Sequence, residues 1–186
     1  MSRLPPLDPD QLTPEQRSAY DALATDPRGG VRGPFQALVY TPELAQLTAD
    51  LGEYLRYGTR FPDRLSKLAI LVVARESRCG YAWRGHVDAG IADGLTPAVV
   101  ESVRSGTTPT FVQDDERLVH DLTAELVRDH RISEQTWEQA TAAFSREGVI
   151  ELVALIGYYG MVAALLNAHE IRVPDGVEDP FAGGTS

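Results

Sequence analysis

The chain has 186 residues, 43% hydrophobic and 24% charged, a balance that suits one globular domain with a substantial core and excludes a disordered or collagen-like polypeptide. Its 17 Lys and Arg against 27 Asp and Glu give a net charge of −10, which repels a phosphate backbone, so no nucleic-acid partner is expected. The opening Met1-Ser-Arg-Leu-Pro-Pro-Leu lacks the apolar run of a signal peptide; a cytoplasmic location is expected, where the single Cys79 stays a thiol and no intrachain disulfide can form.

Residues 1 to about 12, rich in Pro and Asp, read as an extended tail. Thr13-Pro-Glu-Gln supplies an N-cap, a proline at the first helical position and an early acid, so a helix is predicted over about 14–25. Residues 26–34, Asp-Pro-Arg-Gly-Gly-Val-Arg-Gly-Pro, form a loop whose glycines fit no phosphate-binding spacing. Thr41-Pro-Glu caps the next helix, in which Leu44, Leu47, Leu51 and Leu55 recur at helical spacing as far as Gly58. Phe61-Pro-Asp-Arg opens another, with Leu65, Leu68, Leu71 and Val72 as its apolar face.

After a break near Gly80 comes a helix over about 81–92, then Gly94, then Thr96-Pro-Ala starting a short helix that Gly106 closes. Asp114 begins a helix with Leu118, Leu122, Leu126 and Val127 as its core stripe. Ser133 caps a helix that carries Trp137 and Phe144 and ends at Gly148, and an apolar helix succeeds it over about 149–168. Its apolar run, 152–166, is shorter than the roughly 20 residues that span a bilayer, so it reads as a buried core helix and no membrane partner is expected. From Pro174 the chain reads as a mobile tail, 174–186. With no sustained period-two alternation and no repeat, the class is all-α in one domain, 1–186.

Chemistry concentrates in Arg75-Glu-Ser-Arg-Cys-Gly-Tyr-Ala-Trp-Arg-Gly-His86, where a thiol, two aromatics and an imidazole gather at a helix start. Cys79 near the first turn is placed where free N–H groups and the helix dipole lower a thiol pKa. Ala82 and His86 are i,i+4 neighbours with Cys79 a further turn back, so His86 can reach a group bound near Cys79. The other histidines, His120, His130 and His169, are scattered, and no metal-ligand spacing exists.

These residues carry a resemblance. Leu65-Ser-Lys-Leu-Ala-Ile-Leu-Val-Val-Ala-Arg75, then Tyr81-Ala-Trp-Arg-Gly-His-Val-Asp-Ala-Gly90 and Gly94-Leu-Thr, extended by Ile156-Gly-Tyr-Tyr and Leu166-Asn-Ala-His, look like the carboxymuconolactone decarboxylase / alkylhydroperoxidase D-like (AhpD-like) family. The resemblance implies an AhpD-like helical bundle of about eight helices that assembles as a homo-oligomer, a trimer or hexamer. Family peroxidases carry Cys-x-x-Cys-x-x-x-His and a Glu about twelve residues upstream. Cys79 matches the first cysteine and His86 the histidine, but Ala82 stands at the second cysteine and Lys67 at the acid. A dithiol cycle within the chain is therefore blocked, since a sulfenic acid on Cys79 has no resolving thiol.

Members without the cysteines resemble the lactone decarboxylase branch, which needs no cofactor. On that reading the chain is a lyase or isomerase for a small organic acid or lactone, with His86 as general acid and base because an ordinary imidazole titrates near pH ~6.5. Lys67 is then the residue for a substrate carboxylate, Tyr57, Tyr81 and Trp83 line the pocket, Tyr158 and Asn167 place hydrogen bonds, and Glu76 orients His86. Two alternatives stand beside it: a thiol peroxidase using Cys79 with an external thiol, and a non-catalytic binding or assembly module.

Overall fold

The computed structural model describes residues 2–5, 7–25 and 30–182. The loop expected over 26–34 thus lies outside the described residues at 26–29, as do the tail positions 183–186 and Met1 and Pro6. Among the described residues every regular element is helical: a 3-10 turn (Pro9–Gln11) inside the segment expected to be extended, α1 (Pro14–Ala24), α2 (Phe35–Leu38), α3 (Pro42–Glu53), a π turn (Tyr54–Gly58), α4 (Asp63–Glu76), α5 (Gly80–Ala92), α6 (Pro97–Ser105), α7 (Asp114–Asp129) and α8 (Glu134–Ala168). The all-α class is the observed one.

Three helix starts obey the caps written in the sequence, whereas Thr41, expected to cap α3, makes no side-chain cap bond because its hydroxyl donates to the Leu38 carbonyl at 3.1 Å. Thr13 Oγ1 accepts from the Gln16 N–H at 3.3 Å while the Gln16 side chain accepts from the Thr13 N–H at 3.1 Å, a reciprocal capping box. Thr96 and Ser133 cap α6 and α8 with their side-chain oxygens, and Gly106, at φ 72°, closes α6 in the left-handed conformation that glycine favours.

α4 is the centre. From Leu65 to Ala74 all but Lys67 are buried, and a helix apolar on every side must be enclosed. α5, α7 and α8 pack around it, with Val119 and Leu122 of α7 and Leu152, Leu155 and Ile156 of α8 completing the core. Each such aliphatic side chain contributes roughly 1.5–3 kcal/mol of burial. The N-terminal end of α4 is pinned by Arg64, whose guanidinium donates to Asp115 at 2.8 Å and to the buried Glu116 of α7.

α8 is long and apolar enough to cross a membrane by length and composition, yet half of its most apolar window is buried inside the fold, as in a bundle's core helix. The sequence placed a helix end at Gly148; the break falls instead at Ser145, whose φ of 62° and ψ of 168° are non-helical. Ser145 Oγ caps the C-terminal part of α8, accepting from the Gly148 N–H at 3.4 Å. Gly148 itself is buried inside the helix, where a Cβ would press on Phe144 and the Phe61 ring.

α3 corrects a second expectation. Leu44, Leu47 and Leu51, predicted as its core stripe with Leu55, are 46%, 60% and 46% exposed. Only Leu55, on the π turn, is buried; α3 packs instead through Ala45, Thr48, Ala49 and Gly52. Tyr158 of α8 decides this, because its hydroxyl donates to the Thr48 carbonyl at 3.2 Å and its ring lies on Gly52, where any Cβ would overlap it. A face of small residues lets the tyrosine in; a leucine face would not.

The described segments near both ends pack on the bundle. Arg3 bonds the Ala168 and His169 carbonyls and pairs with Glu170 at 3.3 Å. Beyond α8, Phe181 sets its ring edge-on to Trp83 at 5.5 Å, and the Asp179 carboxylate lies directly on Gly80.

Candidate functional site

A cavity of about 490 Å³ opens between α5, the last turns of α8, the segment 30–35 and the returning segment 173–177. His86 of α5 and Tyr159 of α8 stand in its wall with ring centroids 5.1 Å apart and planes at 86°, an edge-to-face pair. Leu23, Phe35, Val162 and Val173 supply apolar walls, and Arg32, Arg56 and Arg84 supply charge. No Asp or Glu lines it among the described residues. In a chain of net charge −10, a concave site whose described lining carries arginines and no carboxylate favours an anion.

Arg56 reaches the cavity because the chain leaves α3 through a π turn, a rare geometry often found at functional sites. Its Nε donates to the Gly52 carbonyl at 3.0 Å and its guanidinium lies 5.3 Å from the Tyr57 ring. No carboxylate pairs with it among the described residues.

His86 is deep in the fold yet retains partial exposure, and that exposure is to the cavity. Burial, then the positive charges of Lys67 and Arg56, push its pKa from 6.5 down to about 3. The resting ring is therefore a neutral imidazole, a proton acceptor, and not the group titrating near neutrality that the sequence led us to expect. Neither ring nitrogen bonds a protein group among the described residues. Tyr159, 5% exposed, has its pKa raised by burial above all, so its phenol stays protonated.

Of the residues singled out in the sequence, His86, Tyr81 and Tyr158 line the cavity together. Tyr81 packs on Gly33, whose φ of 58° turns the loop toward it. The Tyr158 hydroxyl is bonded to the Thr48 carbonyl and ties α3 to α8.

Cys79 does not share this space. It precedes α5 at 1% exposure, and burial, with the nearby Asp179 carboxylate adding to it, raises its pKa. The N-terminal position that was expected to activate the thiol is outweighed by desolvation and a like charge. Lys67 lies outside the wall, 3.9 Å from Asp93, and reaches His86 only through its field. Glu76 pairs with Arg128 at 2.7 Å and is not among the residues that line the cavity with His86. Trp83 is buried under Phe181, Tyr57 is 70% exposed, and the Asn167 side chain donates to the Ser77 carbonyl at 2.8 Å.

Arg56, Tyr159, Arg32 and Arg84 were not singled out. Only the doublet Tyr158-Tyr159 carried a signal, and choosing between its two members needed the α3 contact. No group of three or more His, Cys, Asp or Glu that could hold a metal occurs among the described residues.

An all-helical bundle with a histidine-bearing α5 beside the core helix is the fold of AhpD-like structures. It superposes on the alkylhydroperoxidase AhpD core of an uncharacterized peroxidase-related protein from Ralstonia eutropha JMP134 with a TM-score of 0.76 at 15% identity, covering 94% of this chain and 93% of that one. It also matches a protein of unknown function from Agrobacterium tumefaciens, named as a candidate antioxidant defence protein AhpD, with a TM-score of 0.61 at 16% identity, covering 79% and 100%. At such identities the likeness is one of fold. No curated protein matches in sequence. Residues 42–113, from α3 through α6 and including His86, match the Carboxymuconolactone decarboxylase family. The chain thus shares its fold with these AhpD-like structures and is similar over residues 42–113 to the Carboxymuconolactone decarboxylase family.

Proposed function

We propose that the protein is a cofactor-free lyase or isomerase acting on a small organic acid or lactone, with His86 as the group that moves the proton. The carrying observation is a neutral imidazole whose nitrogens have no partner among the described residues, in a cavity where the charged side chains among the described residues are arginines. The substrate carboxylate is held by guanidinium groups, a geometry they fit better than Lys67 would. Its charge offsets Arg56 and Lys67, so the ring accepts a proton more readily once substrate is bound.

In an isomerisation, His86 takes a proton from carbon beside a carbonyl, the C–H electron pair moves to the oxygen as an enolate, and the proton returns at a second carbon. In a decarboxylation, the pair of the breaking C–C bond moves into the conjugated carbonyl, carbon dioxide leaves, and the carbon takes a proton drawn from water through His86. The test is deuterium uptake from D₂O and carbon dioxide release across a panel of small carboxylic acids and lactones. His86→Ala should lower the rate about 100-fold or more; full turnover by that variant overturns the assignment.

A second reading, peroxide reduction by Cys79 with an external thiol, is favoured by the names of the two similar structures and opposed by the burial of the sulfur. Equal hydroperoxide consumption by Cys79→Ala and the parent chain removes it.

We further propose self-association as a trimer or hexamer. Leu44, Leu47 and Leu51 of α3 and Tyr54 of the π turn lie exposed, as do Ala154, Gly157, Met161 and Ala164 on the uncharged outer face of α8, where a Cβ on Gly157 would meet open space. Such apolar faces are rarely left to water. A monomer at micromolar concentration in sedimentation velocity contradicts this.

A further inference from the structure

Resting on the reading that His86 works on an acid in this cavity, we propose that Arg56 and Tyr159 form the oxyanion site of the reaction. They would bind a carbonyl oxygen of the ligand and stabilise it as an enolate, while the carboxylate is met by the arginines at the mouth.

Tyr159 is 5% exposed and lines the cavity, yet its hydroxyl has no partner among the described residues. The ring is buried while the residue lines the cavity, so the hydroxyl can take an acceptor from a ligand there. Tyr158, next in the chain, shows the contrast: its hydroxyl bonds the Thr48 carbonyl. The free phenol stands beside His86, at 5.1 Å between ring centroids.

Arg56 completes the pair. Its Nε is committed to the Gly52 carbonyl at 3.0 Å, which fixes the guanidinium plane and leaves the two Nη groups without an acceptor among the described residues. It lines the same cavity as His86 and Tyr159. Arg84, by contrast, is exposed at the rim, where it can take a carboxylate.

The division of labour comes from charge. When His86 removes a proton from carbon, the electron pair passes to the carbonyl oxygen, and a full negative charge appears where a ground-state carbonyl had almost none. A fixed guanidinium and a neutral O–H donor aimed there bind that oxygen more strongly as charge grows. A carboxylate would not use the tyrosine in this way, since its charge does not change. The recognised class is an acid that also carries an enolisable carbonyl.

The test compares phenylpyruvate with 3-phenylpropionate, which share carbon skeleton and carboxylate and differ in one carbonyl. Calorimetric titration of the full chain should give a dissociation constant about tenfold lower for phenylpyruvate, the scale of one hydrogen bond to an otherwise unpaired buried group. In Tyr159→Phe, phenylpyruvate should weaken by about that factor while 3-phenylpropionate is unchanged, a split that a general loss of structure would not produce. Arg56→Gln should likewise act mainly on phenylpyruvate. If both acids bind the parent chain equally, or Tyr159→Phe weakens them alike, the oxyanion assignment is overturned while the anion site stands. If neither binds saturably, the organic-acid reading and this inference fall together.

Discussion

Replacing His86 by glutamine should change how stability depends on pH. In the unfolded chain the imidazole titrates at its ordinary 6.5, whereas in the fold it holds no proton until about 3. Below pH 6.5 the unfolded state therefore binds one more proton than the native state, and stability is lost as pH falls. The loss is about 1.4 kcal/mol per pH unit, about 2 kcal/mol by pH 5, with a ceiling of roughly 5 kcal/mol near pH 3. Glu76 and Glu125, both held below the usual carboxylate range by their partners, also destabilise the fold in acid, but they are common to both proteins. Urea unfolding of the parent chain and His86→Gln at about pH 7.0, 6.0, 5.5 and 5.0 isolates the difference. The parent should lose about 2 kcal/mol more than the variant between about pH 7 and 5. Parallel pH profiles would refute a buried neutral imidazole.

Three further outcomes test the packing around the site. Gly52→Ala should destabilise by about 1–3 kcal/mol in urea melts although alanine is the better helix former, because the new methyl overlaps the Tyr158 ring, which its bond to Thr48 holds in place. Arg64→Met should cost about 3–5 kcal/mol by the same measurement, since the 2% exposed Glu116 is left charged without its partner; a loss below about 1 kcal/mol would show the pair to be dispensable. Cys79 should react with a thiol reagent at least about 100-fold more slowly in native protein than in urea at about pH 8, given its burial and raised pKa, and equal rates would reopen the question of its reactivity.

Much of the fold is written locally. The caps at Thr13, Thr96 and Ser133, the closing Gly106 and the all-round apolar α4 place the helices that hold His86. The reading fails where a contact distant in sequence decides. The leucines of α3 have a convincing helical period, but Tyr158, more than 100 residues on, selects the opposite face. Ser145 looks like an ordinary polar helix residue until its hydroxyl is seen capping the turn that carries Gly148.

The site divides along the same line. His86 is legible because it lies at a fixed interval from the helix start; Cys79 is misread because the Asp179 and Phe181 segment that covers the start of α5 arrives from about 100 residues further on. Arg56 is invisible because spacing gives no hint of the π turn that delivers it. Lys67 was chosen for its position on α4, but Asp93 draws it aside and the arginines take over the charge of the cavity.

The most direct measurement is the histidine nitrogen NMR spectrum at about pH 6 as 3-phenylpropionate is added. The account predicts a neutral imidazole pattern for His86 in the free protein, a saturable shift of that signal toward the protonated form as the acid binds in the cavity, and little response from His130 and His169. A His86 already charged at about pH 6, or one untouched at saturating acid, would contradict it.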